Sequence, residues 1–342
     1  MTVKTAFVTG STGLLGNNLV RALVAQGTRV KALVRSAAKG EKQFADLRNV
    51  ELIVGDLGQP ESFASALEGC EVVFHTAAFF RENYAGGSHW DTLHRINVEG
   101  TRKLLELAYA AGIRRFVQTS SIAVLNGAPG TLIDETHLRQ LEDADDYYRS
   151  KMLADAAVMD FLSKHPDMHA CFVLPGWMWG PADIGPTSSG QFLLDLVRGK
   201  LPGLVPGSFS VVDARDVAQA HIAAAEKGER GERYLAAGRH MTMRDLAPLV
   251  AQLAQVKAPT KMMPSSVLYA FASVQELYAR ITGNPILLSL STVRLMHKEA
   301  DRTHFNPAKS ERVLGLRFRP LEDTLRDTLR WYQSHGWLPA TY

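Results

Sequence analysis

The chain has 342 residues, 38 basic against 35 acidic side chains for a formal charge of +3, with 46% hydrophobic and 21% charged residues. That apolar content excludes a disordered chain, and 27 glycines with 15 prolines exclude a collagen-like or low-complexity one. No run of like charges suggests a nucleic-acid partner, and a length beyond about 250 residues predicts two domains, each with its own core. The two cysteines, Cys70 and Cys171, cannot form a disulfide framework and lack zinc spacing, so no metal site is expected. There is no secretory apolar region near Met1, and no stretch approaches the ~18–20 apolar residues of a membrane span. The expectation is a soluble cytoplasmic protein with no membrane partner.

Short apolar runs alternate with helix-length patterns through the first half. Strands are predicted at 5–9, 29–34, 52–54, 72–74, 115–119 and 170–174. A helix after the first strand carries Leu15, Leu19, Ala22 and Leu23 on one face and stops at Gly27. Longer helices are predicted from about Leu93 to Ala111, closed by Gly112, and from Tyr147 to His165, before Pro166. The strands lack polar alternation, as strands covered on both faces do. Alternating strand and helix give an α/β fold, a Rossmann-type doubly wound parallel sheet.

Beyond Gly180, prolines 181, 186, 202 and 206 break the pattern. A helix opens at Asp213-Ala214-Arg215-Asp216-Val217, a strand follows at 233–235, and the rest is mainly helical. The predicted division is a dinucleotide-binding domain over 1–180, to which 211–236 returns, and a smaller, mostly helical substrate domain from 181–210 and 237–342. The apolar segment 264–281 is assigned to core packing.

Directly after the first strand comes Thr9-Gly10-Ser11-Thr12-Gly13-Leu14-Leu15-Gly16, which feeds into a helix. Glycines in this register allow a tight turn and close approach of a pyrophosphate to the helix N-terminus. Selectivity for NAD usually needs an acid at the end of the second strand. Here the strand ends Leu33-Val34-Arg35-Ser36, and a guanidinium suits a 2′-phosphate. NADP(H) is therefore expected, with NAD(H) as the alternative. Asp56 and Leu57 end the third strand and are candidates for the adenine; Ala77 and Ala78 follow the fourth, where small residues admit the cofactor.

Tyr147 and Lys151 are four residues apart on a predicted helix and share a face. A cation beside a phenol stabilises the phenolate, which suits proton transfer at a carbonyl oxygen. The fifth strand ends Ser120-Ser121, and Ser121, with Ser120 second, is the candidate to bond a substrate oxygen.

Together the 9–16 loop, Asp56-Leu57, Ala77-Ala78, Asn97-Val98-Glu99-Gly100-Thr101, Ser121 and Tyr147-x-x-x-Lys151 resemble the extended short-chain dehydrogenase/reductase superfamily. Pro175-Gly176-Trp177-Met178-Trp179-Gly180-Pro181 resembles that family's Pro-x-x-x-x-Gly-Pro segment. The resemblance implies Tyr147 as catalytic acid/base, Lys151 on the nicotinamide ribose, Ser121 orienting the substrate, and Gly10, Gly13 and Gly16 holding the diphosphate. It places the backbone after Pro175 near the nicotinamide, gives Asn97 an indirect role, and implies a homodimer through the 93–111 and 147–164 helices.

Ser121-Ile122-Ala123-Val124-Leu125-Asn126-Gly127 looks closer to the dihydroflavonol-reductase-like branch than to sugar-nucleotide epimerases and dehydratases, and Leu174 stands where many of those carry Arg. Phe79, Phe80, Tyr84, Trp90, Trp177 and Trp179 are candidate pocket walls for an apolar carbonyl substrate. Reduction of a ketone or aldehyde is the leading expectation. A sugar-nucleotide epimerase or dehydratase, with Arg294 and Arg302 to meet a diphosphate, is the alternative, and a non-enzymatic NADP(H) sensor the third.

Overall fold

The structure is a computed structural model that describes residues 3–80, 89–201, 203–204, 206–257, 259–282 and 290–339. In chain order the first elements are β1 (Thr5–Thr9), α1 (Leu14–Ala25), β2 (Arg29–Val34), α2 (Ala37–Phe44), β3 (Val50–Val54) and β4 (Val72–His75). There follow α3 (Trp90–Leu93), α4 (Gly100–Ala110), β5 (Arg115–Thr119), α5 (Asp146–Lys164), β6 (His169–Pro175), β7 (Trp177–Trp179) and α6 (Ser188–Val197). The chain continues through β8 (Ser208–Asp213), α7 (Ala214–Lys227), β9 (Arg233–Ala236), β10 (Arg239–Thr242) and α8 (Met243–Ala254). It closes with α9 (Ser265–Thr282), α10 (Leu290–Lys298), α11 (Ala308–Leu314) and α12 (Leu321–Ser334).

Seven parallel strands form one sheet in the order β3-β2-β1-β4-β5-β6-β9. Its strands are apolar on both sides because both faces are covered. In β1, Ala6 and Val8 join the core cluster with α1 and α7, whereas Phe7 joins the opposite cluster with Leu104 and Leu105 of α4 and Val158 of α5. This is the doubly wound fold that the sequence predicts. α1 ends as expected at Gly27, whose φ of +86° is open to glycine at little cost. α5 starts at Asp145, whose side chain caps the Tyr148 N–H at 2.8 Å.

Three features depart from the sequence reading. The 93–111 helix begins earlier, at Trp90, and winds as a π-helix over His94–Glu99 before α4. A second sheet, β10-β8-β7, occupies part of the segment read as irregular or helical. Its pairings, such as Arg239 with Val211 and Trp177 with Val211, join short strands far apart in sequence, which leave no local periodicity. The chain changes sheets at Gly176, where a Cβ would lie 2.5 Å from the Ser210 carbonyl oxygen. Third, α9 is core on one side only: Leu268 and Ala272 are buried, but Val274 is 67% exposed and Ile281 76% exposed.

A third cluster gathers Trp179, Phe192, Leu193, Phe209, Leu246, Val250, Leu325 and Tyr332 around the small sheet. The 126–139 loop of the large unit is tied to the 299–306 segment. Ile133 accepts from Asn306 N–H and donates to the His304 carbonyl, and Arg139 makes a two-pronged bond to Glu299 at 2.9 and 3.0 Å. This ion pair is nearly dry, and two more carbonyls, of Ala123 and Leu125, satisfy the guanidinium.

Candidate active site

The strand order reverses between β1 and β4, and crevices at such a reversal open at the carboxyl ends of the strands. Three connections converge there: Gly10–Gly13 after β1, Thr76–Phe80 after β4 and Ser120–Val124 after β5.

The three glycines of the first loop are needed for different reasons. Gly10 has φ +64°, and a Cβ on it would lie 2.7 Å from the Ala77 nitrogen, so the β1 and β4 connections meet there. A Cβ on Gly16 would lie 2.1 Å from the Gly10 carbonyl oxygen. Gly13 is different: φ is −82° and the nearest atom to its missing Cβ is the Gly10 oxygen at 3.3 Å. The fold alone does not require glycine there.

Gly13 is also the N-cap of α1, with no side-chain cap and no acid in the first turn. Among the described residues no carbonyl accepts from the Leu14 or Leu15 N–H. Uncapped donors and an open glycine at a helix start fit a diphosphate. Residues that the sequence reading passed over brace the loop. The Ser11 hydroxyl donates to the Leu33 carbonyl at 2.7 Å, Gln43 donates to the Thr12 carbonyl at 3.3 Å, and Thr76 donates to the Thr9 carbonyl at 2.6 Å.

Arg35 stands exposed at the end of β2, and no hydrogen bond or ion pair to a described residue claims it. Asp56 is exposed and holds the Gly58 N–H at 2.6 Å, while Leu57 is turned into the core. Ala77 donates to the Thr9 hydroxyl at 3.2 Å, Ala78 is exposed, and Pro175 is buried at the end of β6.

At the end of β5 the two serines separate cleanly. Ser120 is buried and its hydroxyl donates to Asp155 at 2.6 Å. Ser121 is half-buried; its Oγ accepts from the Ala123 N–H at 3.1 Å, which leaves its proton to donate. Tyr147 and Lys151 lie one turn apart on α5. The Tyr147 ring meets Phe80 edge-on at 4.5 Å. Lys151 is 4% exposed and donates from Nζ to the Thr119 carbonyl at 2.6 Å, at the end of the same strand that carries Ser121. Burial brings its ammonium down to about 8, and Asp155 opposes that shift. Asp155 itself is pushed up to about 6 by burial, against the pull of Arg233, Ser120 and Lys151.

Asn97, in the π-helical turn, grips the backbone of Phe79 from both sides: its Oδ1 accepts from the N–H at 2.7 Å and its Nδ2 donates to the carbonyl at 3.0 Å. The same Nδ2 donates to the Ser150 hydroxyl at 3.0 Å, and Ser150 donates to the Tyr147 carbonyl. One amide therefore fixes the β4 connection and the first turn of α5 relative to each other.

Two histidines lie behind these groups. His221 bonds the Val217 carbonyl through Nδ1 and the Thr119 hydroxyl through Nε2. His75 bonds Thr9 through Nδ1 and Thr101 through Nε2, and Thr101 donates onward to the Asn97 carbonyl. Since Thr101 spends its proton there, His75 carries its proton on Nε2 and accepts from Thr9.

Burial pushes His75 down to about 3 and His221 to about 4. Both values lie below that of an unfolded histidine, about 6.5. The unfolded chain thus takes up protons first, and their contribution to stability, full above pH 6.5, is lost as pH falls toward 4. Asp155 acts in the opposite sense between about 4 and 6. Histidine-resolved NMR is expected to show both rings neutral at pH 5. Titration of either ring above pH 6 would contradict the arrangement.

The proposed pocket aromatics divide. Trp179 is 1% exposed with Nε1 bonded to the Ser189 carbonyl, so it belongs to the core of the small unit rather than to a pocket wall. Trp177 stacks on Phe209 at 4.3 Å, and Trp90 lies under the Arg149 guanidinium. Phe79 and Phe80 border Asn97 and Tyr147, while Tyr84 lies outside the described residues. Arg302 is committed to Asn126 and the Gly127 carbonyl, and Arg294 is exposed on α10.

A family model described as the NAD dependent epimerase/dehydratase family matches residues 6–237. The chain belongs to this family. It is an extended short-chain dehydrogenase/reductase of the dihydroflavonol-reductase-like branch, and its cofactor class is the nicotinamide dinucleotides. A Synechocystis sp. protein with the provisional name dihydroflavonol 4-reductase is 30% identical, over 97% of this chain and 95% of its own length. A ketoreductase of Stigmatella aurantiaca is 31% identical over 95% of each chain. The crystal structure of gox2253 superposes with a TM-score of 0.82 at 34% identity, covering 98% of this chain and 99% of that one.

Proposed function

We propose that this protein is an NADP(H)-dependent reductase that converts an apolar ketone or aldehyde to the alcohol, with Tyr147 as proton donor. The observation that carries the reading is the placement of Tyr147 one turn from a buried Lys151 whose Nζ is held at the end of the Ser121 strand. A bound nicotinamide supplies the hydride. Ser121 donates to the carbonyl oxygen and polarises it, and the Tyr147 hydroxyl gives that oxygen its proton. The Lys151 ammonium favours the phenolate left behind. Gly10, Gly13 and Gly16 with the Leu14 and Leu15 N–H groups hold the diphosphate, and Lys151 also reaches the ribose. Asp56, Ala77, Ala78 and the Pro175 backbone border the cofactor.

The Stigmatella relative is named as a ketoreductase of a farnesyl-bearing 3-oxo dihydroquinoline oxide, which supports an apolar ketone. Phe80 against Tyr147 gives the reacting oxygen an apolar neighbour. The sugar-nucleotide alternative is weakened because Arg302, one of its two candidate cations, is occupied by Asn126 and Gly127. A homodimer through α4 and α5 completes the reading, and light scattering tests it.

Arg35 makes the preference for NADP(H) testable. Arg35→Ala is expected to raise the KM for NADPH roughly tenfold, the modest value of an exposed charged contact, and to leave that for NADH nearly unchanged. Equal effects on both cofactors would remove Arg35 from the 2′-phosphate. The parent reading is tested by NADPH oxidation, followed by absorbance, over a panel of aromatic and aliphatic ketones and aldehydes. Net oxidation is the expected result, and silence throughout with a cofactor-binding protein is the contrary one.

A further inference from the structure

We infer that the outer face of α9 docks on an anionic lipid surface. Val267, Val274, Leu277 and Ile281 are 49%, 67%, 60% and 76% exposed. They recur at spacings of seven, three and four, which puts them on one side of the helix, with Ser266, Ala270 and Ser273 beside them. The opposite side, with Leu268 and Ala272, is buried in the small unit. The one acid of the helix, Glu276, is turned away from the apolar face, and its carboxylate accepts from the Leu290 N–H at 2.9 Å. A surface helix ordinarily shows its charges to water; this one withdraws its carboxylate and shows aliphatic groups.

The surrounding charge selects the occupant. Lys257 and Lys261 lead into the helix and Arg294 sits on α10, which packs against it, while Lys298 is paired with Asp143 at 3.8 Å. Lys257, Lys261 and Arg294 are exposed. Two copies of this face would bring like charges together, whereas an apolar stripe with exposed cations on the adjoining segments matches a bilayer of anionic lipid. No described helix is long and apolar enough to cross a membrane, so α9 would lie in the plane of the surface. Docking itself is independent of the reductase reading; its use, to collect an apolar carbonyl compound dissolved in lipid, rests on that reading.

The test is co-sedimentation of the full chain, without cofactor or substrate, with vesicles of phosphatidylcholine alone or mixed with phosphatidylglycerol. Binding to the mixed vesicles is expected, weakening as salt rises. Val274→Asp/Leu277→Asp should reduce it roughly tenfold or more, since both side chains are exposed and carry no core packing. Lys257→Glu/Lys261→Glu should remove the preference for anionic lipid. Circular dichroism and NADPH oxidation with a water-soluble aldehyde check that each variant is folded, so failure of the reductase reading is seen separately from failure of docking. Wild-type protein that stays in solution with both vesicle types overturns the inference. So does a light-scattering mass that halves in the Asp variant with no vesicle binding, which would make the face a contact between two copies.

Discussion

Tyr147→Phe is expected to lower kcat for carbonyl reduction by roughly a hundredfold to ten-thousandfold, the contribution typical of a positioned general acid. The change removes one oxygen and keeps the ring, so the edge-on contact with Phe80 at 4.5 Å survives. Stability and cofactor affinity should therefore stay close to wild type, and the loss should fall in kcat rather than in folding. Tyr148→Phe is the internal control: the Tyr148 ring lies under the Arg139 guanidinium, 4.8 Å away, and has no assigned step. The pH profile adds a second check. With the Lys151 ammonium lowered to about 8 by burial, reduction is expected to fall as pH rises through that region, because the cation that favours the phenolate is lost. A Tyr147→Phe enzyme with near-normal kcat would assign the proton to another group.

The second large effect separates two glycines three residues apart. Gly16→Ala places a Cβ 2.1 Å from the Gly10 oxygen and 2.8 Å from the Ser11 Cα, all backbone that must move. We expect a loss of about 3 kcal/mol or more, beyond ordinary overpacking, because the loop is pinned by Ser11 and Thr76. Gly13→Ala meets only the Gly10 oxygen, at 3.3 Å, in a backbone conformation that alanine accepts. It should melt within about 1 kcal/mol of wild type yet bind NADPH far more weakly, because its methyl group takes the space needed by the diphosphate. Thermal melts with and without NADPH distinguish them. A Gly13→Ala protein with unchanged NADPH affinity would move the diphosphate away from this loop.

Much of this site is legible in the sequence because its signals are local. Glycine spacing after an apolar strand, Tyr147 four before Lys151 and a serine pair at a strand end all sit within short windows. The parts that were not legible depend on distant partners. Ser120 and Asp155 are 35 residues apart, and Thr119 and His221 are 102 apart. Only their meeting shows that Ser120 is structural and Ser121 free to donate. The small sheet escaped for the same reason. The π-helical turn at Asn97 has no signature in hydrophobic periodicity, although Asn97 itself belongs to one of the segments that carry the family resemblance. Trp179 and α9 show the converse limit: an apolar pattern reveals that a side chain seeks cover, but not whether the fold covers it.

Hydride transfer itself is tested by turning the protein over with NADPH carrying deuterium at the transferable position and an apolar ketone that the panel identifies. The reductase reading predicts one NADP produced per alcohol formed and deuterium on the new carbinol carbon. A protein that leaves the labelled NADPH unconsumed while inverting or dehydrating a nucleoside-diphosphate sugar would contradict it, and would place this chain with the epimerases of its family.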